Sequence, residues 1–317
     1  MRWLWMLVLV VSFASAQTAP TALELEVLAR TNQERVARGL SPLEWDNLAA
    51  QVARAHALDM LRRGYFAHVN PEGESPADRL HKAGGVEVEV GENLAFYENY
   101  PDSRIPSEAV RGWMNSPHHR DNLLKPSYTH LGVGLVRQGN RVMVVQNFLA
   151  RPFALSFTRQ ASRVEENTLS LRGEAPASVG VFIEGNLYAE LGHRFDTTLE
   201  LPPGANPRFG WRNGSRWLEV SPGQSGFGFE VRQEKALVPG CQLQLVLPAG
   251  RYALAVGKEP RFWRTVDGPA TLELPLPASL GLLWVGRRQG DWIDYAFRIP
   301  LDLETSATTP HTYATAP

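Results

Sequence analysis

His68, Glu92 and His119 are the residues whose types could do chemistry together. They sit in three compact segments, Tyr65-Phe66-Ala67-His68, Gly91-Glu92-Asn93-Leu94 and Ser116-Pro117-His118-His119-Arg120-Asp121-Asn122. Neutral imidazole is a good ligand for zinc and similar divalent ions, and carboxylates complete such sites. His68, His119 and Glu92 are therefore candidate metal ligands. They are too far apart in sequence for a local motif such as His-Glu-x-x-His, so the fold must gather them. The alternative is a hydrogen-bonded polar cleft that ties loops together.

Glu108 and Asn93 are further candidates for the cleft. On one continuous helix Glu108 and His119 would lie about 16 Å apart, so they can share a site only if Pro117 breaks the helix. Glu108 otherwise suits the first turn of its own helix, where a carboxylate complements the dipole. Asn93 is placed to tie the turn after Gly91. His118 would point about 100° away from His119 on a helix. His56, on a helical stretch, reads as a satisfied buried histidine. Ser116 precedes His119 by one helical step, but no Gly-x-Ser-x-Gly elbow or phosphate-binding glycine loop is present. Trp211, Trp217 and Trp263 are core aromatics or, alternatively, sugar platforms. No organic cofactor motif is found.

These residues need elements to hold them. Apolar residues at helical spacing predict helices over 24–38, closed by Gly39, and from an Asp46 cap to 63, closed by Gly64. Short helices follow over 75–83, 107–115 and 117–124, the last with proline in its first turn. The period then switches, and 131–136 and 142–148 read as a β-hairpin. Past residue 150, short apolar runs alternate with Gly, Pro and Asn, as at 179–183, 197–201, 242–247, 251–256 and 280–285. That pattern predicts an all-β, sandwich-like region over 151–304, in one module or two. The Ser/Thr/Ala/Pro-rich end, 305–317, reads as a disordered tail.

The chain has 317 residues, a net charge of −1 and one cysteine, Cys241. The length suggests about two domains. The charge balance supplies no basic stripe for nucleic acid. A single thiol forms no internal disulfide, and Cys241 reads as a small buried residue on a strand. Residues 1–16 read as a signal peptide: Arg2, an apolar run, then Ala14-Ser15-Ala16. The expected mature chain is secreted or extracytoplasmic, with no transmembrane segment.

At these motifs the N-terminal half resembles the CAP superfamily (cysteine-rich secretory proteins, antigen 5, pathogenesis-related 1), in its bacterial secreted branch. The matching residues are Leu28-Ala-Arg-Thr-Asn-Gln-Glu-Arg35, Gly39-Leu40, Pro42-Leu43, Asp59-Met60 and Gly64-Tyr-Phe-Ala-His68. They continue through Gly91-Glu-Asn-Leu94, Gly112-Trp-Met-Asn-Ser-Pro-His-His-Arg-Asp-Asn122 and Leu131-Gly-Val-Gly134. The resemblance implies an α+β fold, an α-β-α sandwich over 23–150. It implies a cleft of two histidines and two acidic residues that can hold a divalent metal. His68, Glu92 and His119 match three of these; Glu108 stands for the fourth, because Ser116 occupies the position of the eukaryotic glutamate. The resemblance implies a lipid, cell-envelope or other extracellular ligand for a binding protein. The alternative is a metal-assisted hydrolase of peptide or cell-wall bonds.

Overall fold

The computed structural model describes residues 19–276, 281–290, 292–301 and 311–313. The expected signal peptide lies outside the described residues, as does most of the expected tail. The contacts divide the chain into two units. Among the described residues, one comprises 19–76, 91–125 and 131–148; the other comprises 77–90, 126–130 and those from 149 onward.

The first unit is built as the cap signals dictate. Helix α1 (Ala22–Val36) begins two residues before the expected start, because Thr21 and Glu24 form a reciprocal capping box. Helix α2 (Asn47–Arg63) follows strand β1 (Glu44–Trp45). Asp46 accepts from the Ala49 N–H at 2.7 Å, and Gly64 closes α2 at φ 73°, in the left-handed region. Strand β2 (Val90–Glu98), helices α4 (Ile105–Asn115) and α5 (Pro117–Leu123), and the hairpin β3 (His130–Gln138) and β4 (Arg141–Leu149) complete the order. The sheet runs β1-β3-β4-β2. The segment around Gly91, read from sequence as a turn, is therefore strand.

Side-chain alternation gives this sheet two covered faces. On one, Leu94, Met143 and Val145 pack against Ala53, Ala57, Met60 and Leu61 of α2. Gly132 and Gly134 bring α2 still closer: a Cβ on either would fall 2.1 Å from the Ala50 nitrogen or 2.2 Å from that of Arg54. On the other face, Gln146 donates to Thr31 of α1 at 2.9 Å, and Asn93 donates to the His119 carbonyl of α5 at 3.1 Å. Helix–sheet–helix layering results, the α-β-α sandwich expected.

The second unit is strand-rich, as expected. It holds helix α3 (Pro76–Lys82) from its second residue onward and strands β5 (Leu155–Glu174), β6 (Val179–Ile183), β7 (Asn186–Leu191) and β8 (Arg194–Leu201). Then come β9 (Arg208–Asn213), β10 (Arg216–Val220), β11 (Gly228–Val256), β12 (Arg261–Leu276), β13 (Leu282–Gln289), β14 (Trp292–Pro300) and β15 (His311–Tyr313). One sheet runs β10-β9-β6-β7, and a larger one β14-β13-β11-β5-β15, with β12 on β11 and β8 on β5. One apolar cluster serves both sheets, joining Val181, Phe209 and Val220 of the smaller sheet to Leu169, Leu245 and Phe297 of the larger. A shared core makes them a single module.

Three expectations are corrected here. The runs at 242–247 and 251–256 are one strand, interrupted only by a register shift between Leu247 and Gly250. The domain boundary is not a single cut near Arg151. Residues 77–90 belong to the strand-rich unit because Val86 enters its core, the Arg298 N–H donates to the Val86 carbonyl at 2.7 Å, and the Val88 N–H donates to Ala296 at 3.0 Å. The tail is not wholly unstructured: β15 pairs antiparallel with β5, because buried Tyr313 stacks on Phe157 and donates to the Gly84 carbonyl at 3.1 Å.

Candidate functional site

Glu92 and Asn93 are neighbours on β2, and a strand points neighbours to opposite faces. Glu92 turns toward the segment after α2, where its Oε1 accepts from His68 Nδ1 at 2.8 Å. Its side chain is 1% exposed, whereas that of His68 is 51% exposed. A buried carboxylate thus orients an open imidazole. With Nδ1–H donating to Glu92, a neutral His68 carries its lone pair on Nε2.

The segment bearing His68 is braced from α2. His56 Nε2–H donates to the Ala67 carbonyl at 3.0 Å, and the Tyr65 hydroxyl donates to Asp59 at 2.5 Å. Both supports escaped the sequence reading of the site. The one signal for them was the helical i, i+3 spacing of His56 and Asp59, which puts both on one face of α2.

Asn93 is fully buried. The sequence reads it both as a cleft residue and as a tie for the turn after Gly91, and its amide bonds the protein. Its Nδ2 donates to the His119 carbonyl and to Gln146, and its Oδ1 accepts from Asn122 at 3.0 Å. Asn122 also donates to the Glu92 carbonyl at 3.1 Å. This network fixes α5 on β2, and so fixes His119 relative to Glu92. Trp113 helps by donating to the Leu94 carbonyl at 2.9 Å.

His119 completes the group. Its Nδ1 lies 2.9 Å from Ser116 Oγ. Burial pushes its pKa below the ordinary imidazole value, and the nearby imidazoles of His68 and His118 push the same way. His119 is therefore held toward its neutral form, the form that binds metals. His118 is exposed, as its helical offset from His119 requires.

Glu108 takes other partners. It bonds Arg104 at 3.0 Å and Arg111 more closely still, and these guanidinium groups hold its carboxyl below the usual range against the opposing effect of desolvation. Its charge also helps raise Tyr97 to about 12, after burial of that phenol. The structure thus brings together His68, Glu92 and His119, with Asn93 as brace, and engages Glu108 with arginines of its own helical region. Among the described residues no three His, Cys, Asp or Glu side chains form a group that could hold a metal ion.

The model of the cysteine-rich secretory protein family, CAP, matches residues 28–148. Over 126 residues the chain is 40% identical to the uncharacterized protein YkwD of Bacillus subtilis (strain 168), covering 40% of this chain and 47% of that protein. It is 43% identical over 131 residues to the uncharacterized membrane protein YlbC of the same organism, covering 41% and 35%. The chain thus spans less than half the length of these curated relatives. Among solved structures it is similar to an extracellular protein containing an SCP domain from Bacillus anthracis, with a TM-score of 0.36, 29% identity, and 42% and 45% of the two chains covered. A cysteine-rich secretory protein from Staphylococcus aureus gives a TM-score of 0.33 at 20% identity, covering 41% and 38%. Residues 28–148, which carry the His68–Glu92–His119 group, are a CAP domain of the cysteine-rich secretory protein family.

Proposed function

We propose that the cleft of this CAP domain is a binding site in an extracytoplasmic protein, taking a divalent cation such as zinc together with a lipid or cell-envelope ligand. The observation that carries this reading is the back-to-front use of the two imidazoles. Glu92 engages Nδ1 of His68, and Ser116 engages Nδ1 of His119, so Nε2 is the ring nitrogen each imidazole would offer to a cation. A carboxylate behind a ligating histidine fixes its tautomer and raises its basicity. The donor set fits two histidine ligands, with Glu92 acting through His68. A bound cation would supply Lewis acidity to whatever completes its coordination.

Apolar surface beside the cleft supports the lipid or envelope part. Phe66 and Val69, which flank His68, are 55% and 50% exposed. No described helix is long and apolar enough to cross a membrane.

Turnover has weaker support. Ser116 and His119 form a Ser–His pair, but the carboxylate Glu92 is committed to the other imidazole, so the groups do not make a serine–histidine–acid relay.

The deciding experiment is metal content and affinity of the purified chain beside a His68→Ala/His119→Ala double variant. Zinc bound by the wild type and lost in the variant supports the reading. Equal metal in both overturns the assignment of the cation to this cleft. Robust hydrolysis of peptide or peptidoglycan, abolished by the same variant, would replace binding with catalysis.

A further inference from the structure

The turn between β6 and β7, the loop between β8 and β9, and β12 line an open cavity of about 520 Å³ within the strand-rich unit. Two arginines, Arg208 and Arg264, line it with Asn206, Trp263 and Glu184. The volume lies within the range of small-molecule pockets, about 300–1,000 Å³.

Arg264 lines the cavity with a donor to spare: its Nε is closed off from solvent and has no hydrogen-bond partner. Buried donors in folded proteins are nearly always satisfied, so an orphan needs an explanation. The contact the group does make is with Trp263, whose ring centroid lies 5.8 Å from the guanidinium carbon; stacking of this kind orients the fork without using its donors. Arg208 is similarly uncommitted. Its ion pair to Glu219 is 4.0 Å long, between side chains 78% and 76% exposed.

The walls are set in advance. Asn167, 1% exposed, donates to the carbonyls of Pro202 and Ala205, both at 3.3 Å. Gln233 donates to Asn167 at 2.8 Å and to Ala205 at 3.3 Å, and the Gly204 N–H donates to Glu165 at 3.1 Å. The opposite lip is a tight hairpin turn with Glu184 at φ 47° and Gly185 at φ 78°. A loop held by its own backbone carbonyls leaves its outward side chains for another purpose.

We infer that this cavity binds an oxyanion, a carboxylate or phosphate, carried on a sugar-sized polar molecule. Arg264 and Arg208 grip the anion, since the planar guanidinium fork matches paired oxygens. Trp263 forms the apolar wall against the body of the ligand, and Asn206 offers a neutral polar contact. The site is independent of the His68–His119 cleft and of any cation bound there.

Titration of the full chain with glucuronate, glucose 6-phosphate and glucose, followed by calorimetry and thermal unfolding, tests this. Saturable binding of one or both anions is expected, with a rise in Tm and no response to glucose; the preferred anion separates carboxylate from phosphate. Arg264→Gln and Arg208→Gln should each weaken binding about tenfold or more. Arg264→Lys, which keeps the charge and loses the fork, should weaken it too. Because Arg208 is exposed, its variant carries the test if the Arg264 variants fold poorly. Failure of the wild type to bind either anion at ligand on the order of 10 mM, or unchanged affinity in Arg208→Gln, overturns the inference.

Discussion

Glu92 Oε1 stands 2.8 Å from His68 Nδ1, with the carboxylate inside the protein and the imidazole at its surface. The pair works as a mount, since the buried group sets the angle and tautomer of the exposed one. If Nε2 of His68 is the ligand atom, Glu92 acts only through the ring. Glu92→Gln should therefore weaken zinc affinity about 10–100-fold without abolishing it, whereas His68→Ala should remove it. Competition titration with a chelating dye measures both. Equal losses in the two variants would make Glu92 a direct ligand.

Asn93 predicts a different signature. Truncation to Ala leaves the donors of Asn122 and the acceptors of Gln146 and the His119 carbonyl facing an empty space. The expected cost is about 1–3 kcal/mol, read as a lower urea midpoint. Zinc affinity should fall with it, because α5 carries His119. An Asn93 variant of unchanged stability that still loses metal would mean that Asn93 meets the ligand after all.

Two glycines in the CAP domain should respond in opposite directions to alanine. Gly132 has the α2 backbone where its Cβ would go, at 2.1 Å, so Gly132→Ala must push the helix off the sheet. Overpacking of this kind costs about 1–3 kcal/mol, and rigid backbone on the receiving side favours the upper end. Gly112 lies exposed on α4 with nothing near its Cβ position, so Gly112→Ala should stabilise by about 0.5–1 kcal/mol. Denaturant midpoints of the two variants should move apart; a neutral Gly132→Ala would show that α2 does not rest on β3 as described.

Much of the positioning scaffold was legible because it is written in local signals. Asp46 and Gly64 bound α2 in sequence and in space, and Pro117 opens α5. Thr21 and Glu24 carried a capping box that places the start of α1 earlier than apolar spacing alone does. Strand β2 was not legible. Glu92 and Asn93 are polar and follow a glycine, so hydropathy reads a turn, yet both are buried because a tertiary network satisfies them. The same limit hid β5, whose long middle is polar, and the continuity of β11 through Pro248 and Gly250. For the site, residue types identified His68, Glu92 and His119, but which atom meets which depends on strand alternation and on α5 docking. Neither is encoded locally.

The strand-rich unit holds an ion pair with almost no solvent. Arg151 is 6% exposed, Glu87 is 0%, and they meet at 2.6 Å, with Arg151 also over the Tyr313 ring at 5.3 Å. Removing one partner leaves a buried charge, so Glu87→Ala should cost about 3–5 kcal/mol. The double change Glu87→Leu/Arg151→Met removes both charges and should recover most of that loss. A double variant as unstable as the single one would assign the cost to packing around Tyr313 instead of to the orphaned charge.

Acid sensitivity should map to His81. Its Nε2–H donates to the Glu87 carbonyl at 2.7 Å, and Arg298 donates to Nδ1. Protonation of Nδ1 would set two donors against each other. Burial, the largest influence, lowers the His81 pKa below 6.5; Arg298 lowers it further, against the Glu87 carbonyl and Asp78. The unfolded chain therefore binds the proton more readily than the folded one. Stability from this group is complete above about pH 6.5, declines as pH falls through that value, and levels off below the folded pKa. His81→Gln retains a donor for Glu87 and does not titrate, so its unfolding midpoint should fall less than the wild type's between about pH 8 and about pH 5.5. Measurements in chelator keep the cleft histidines metal-free in both proteins, and parallel declines would remove His81 as the cause.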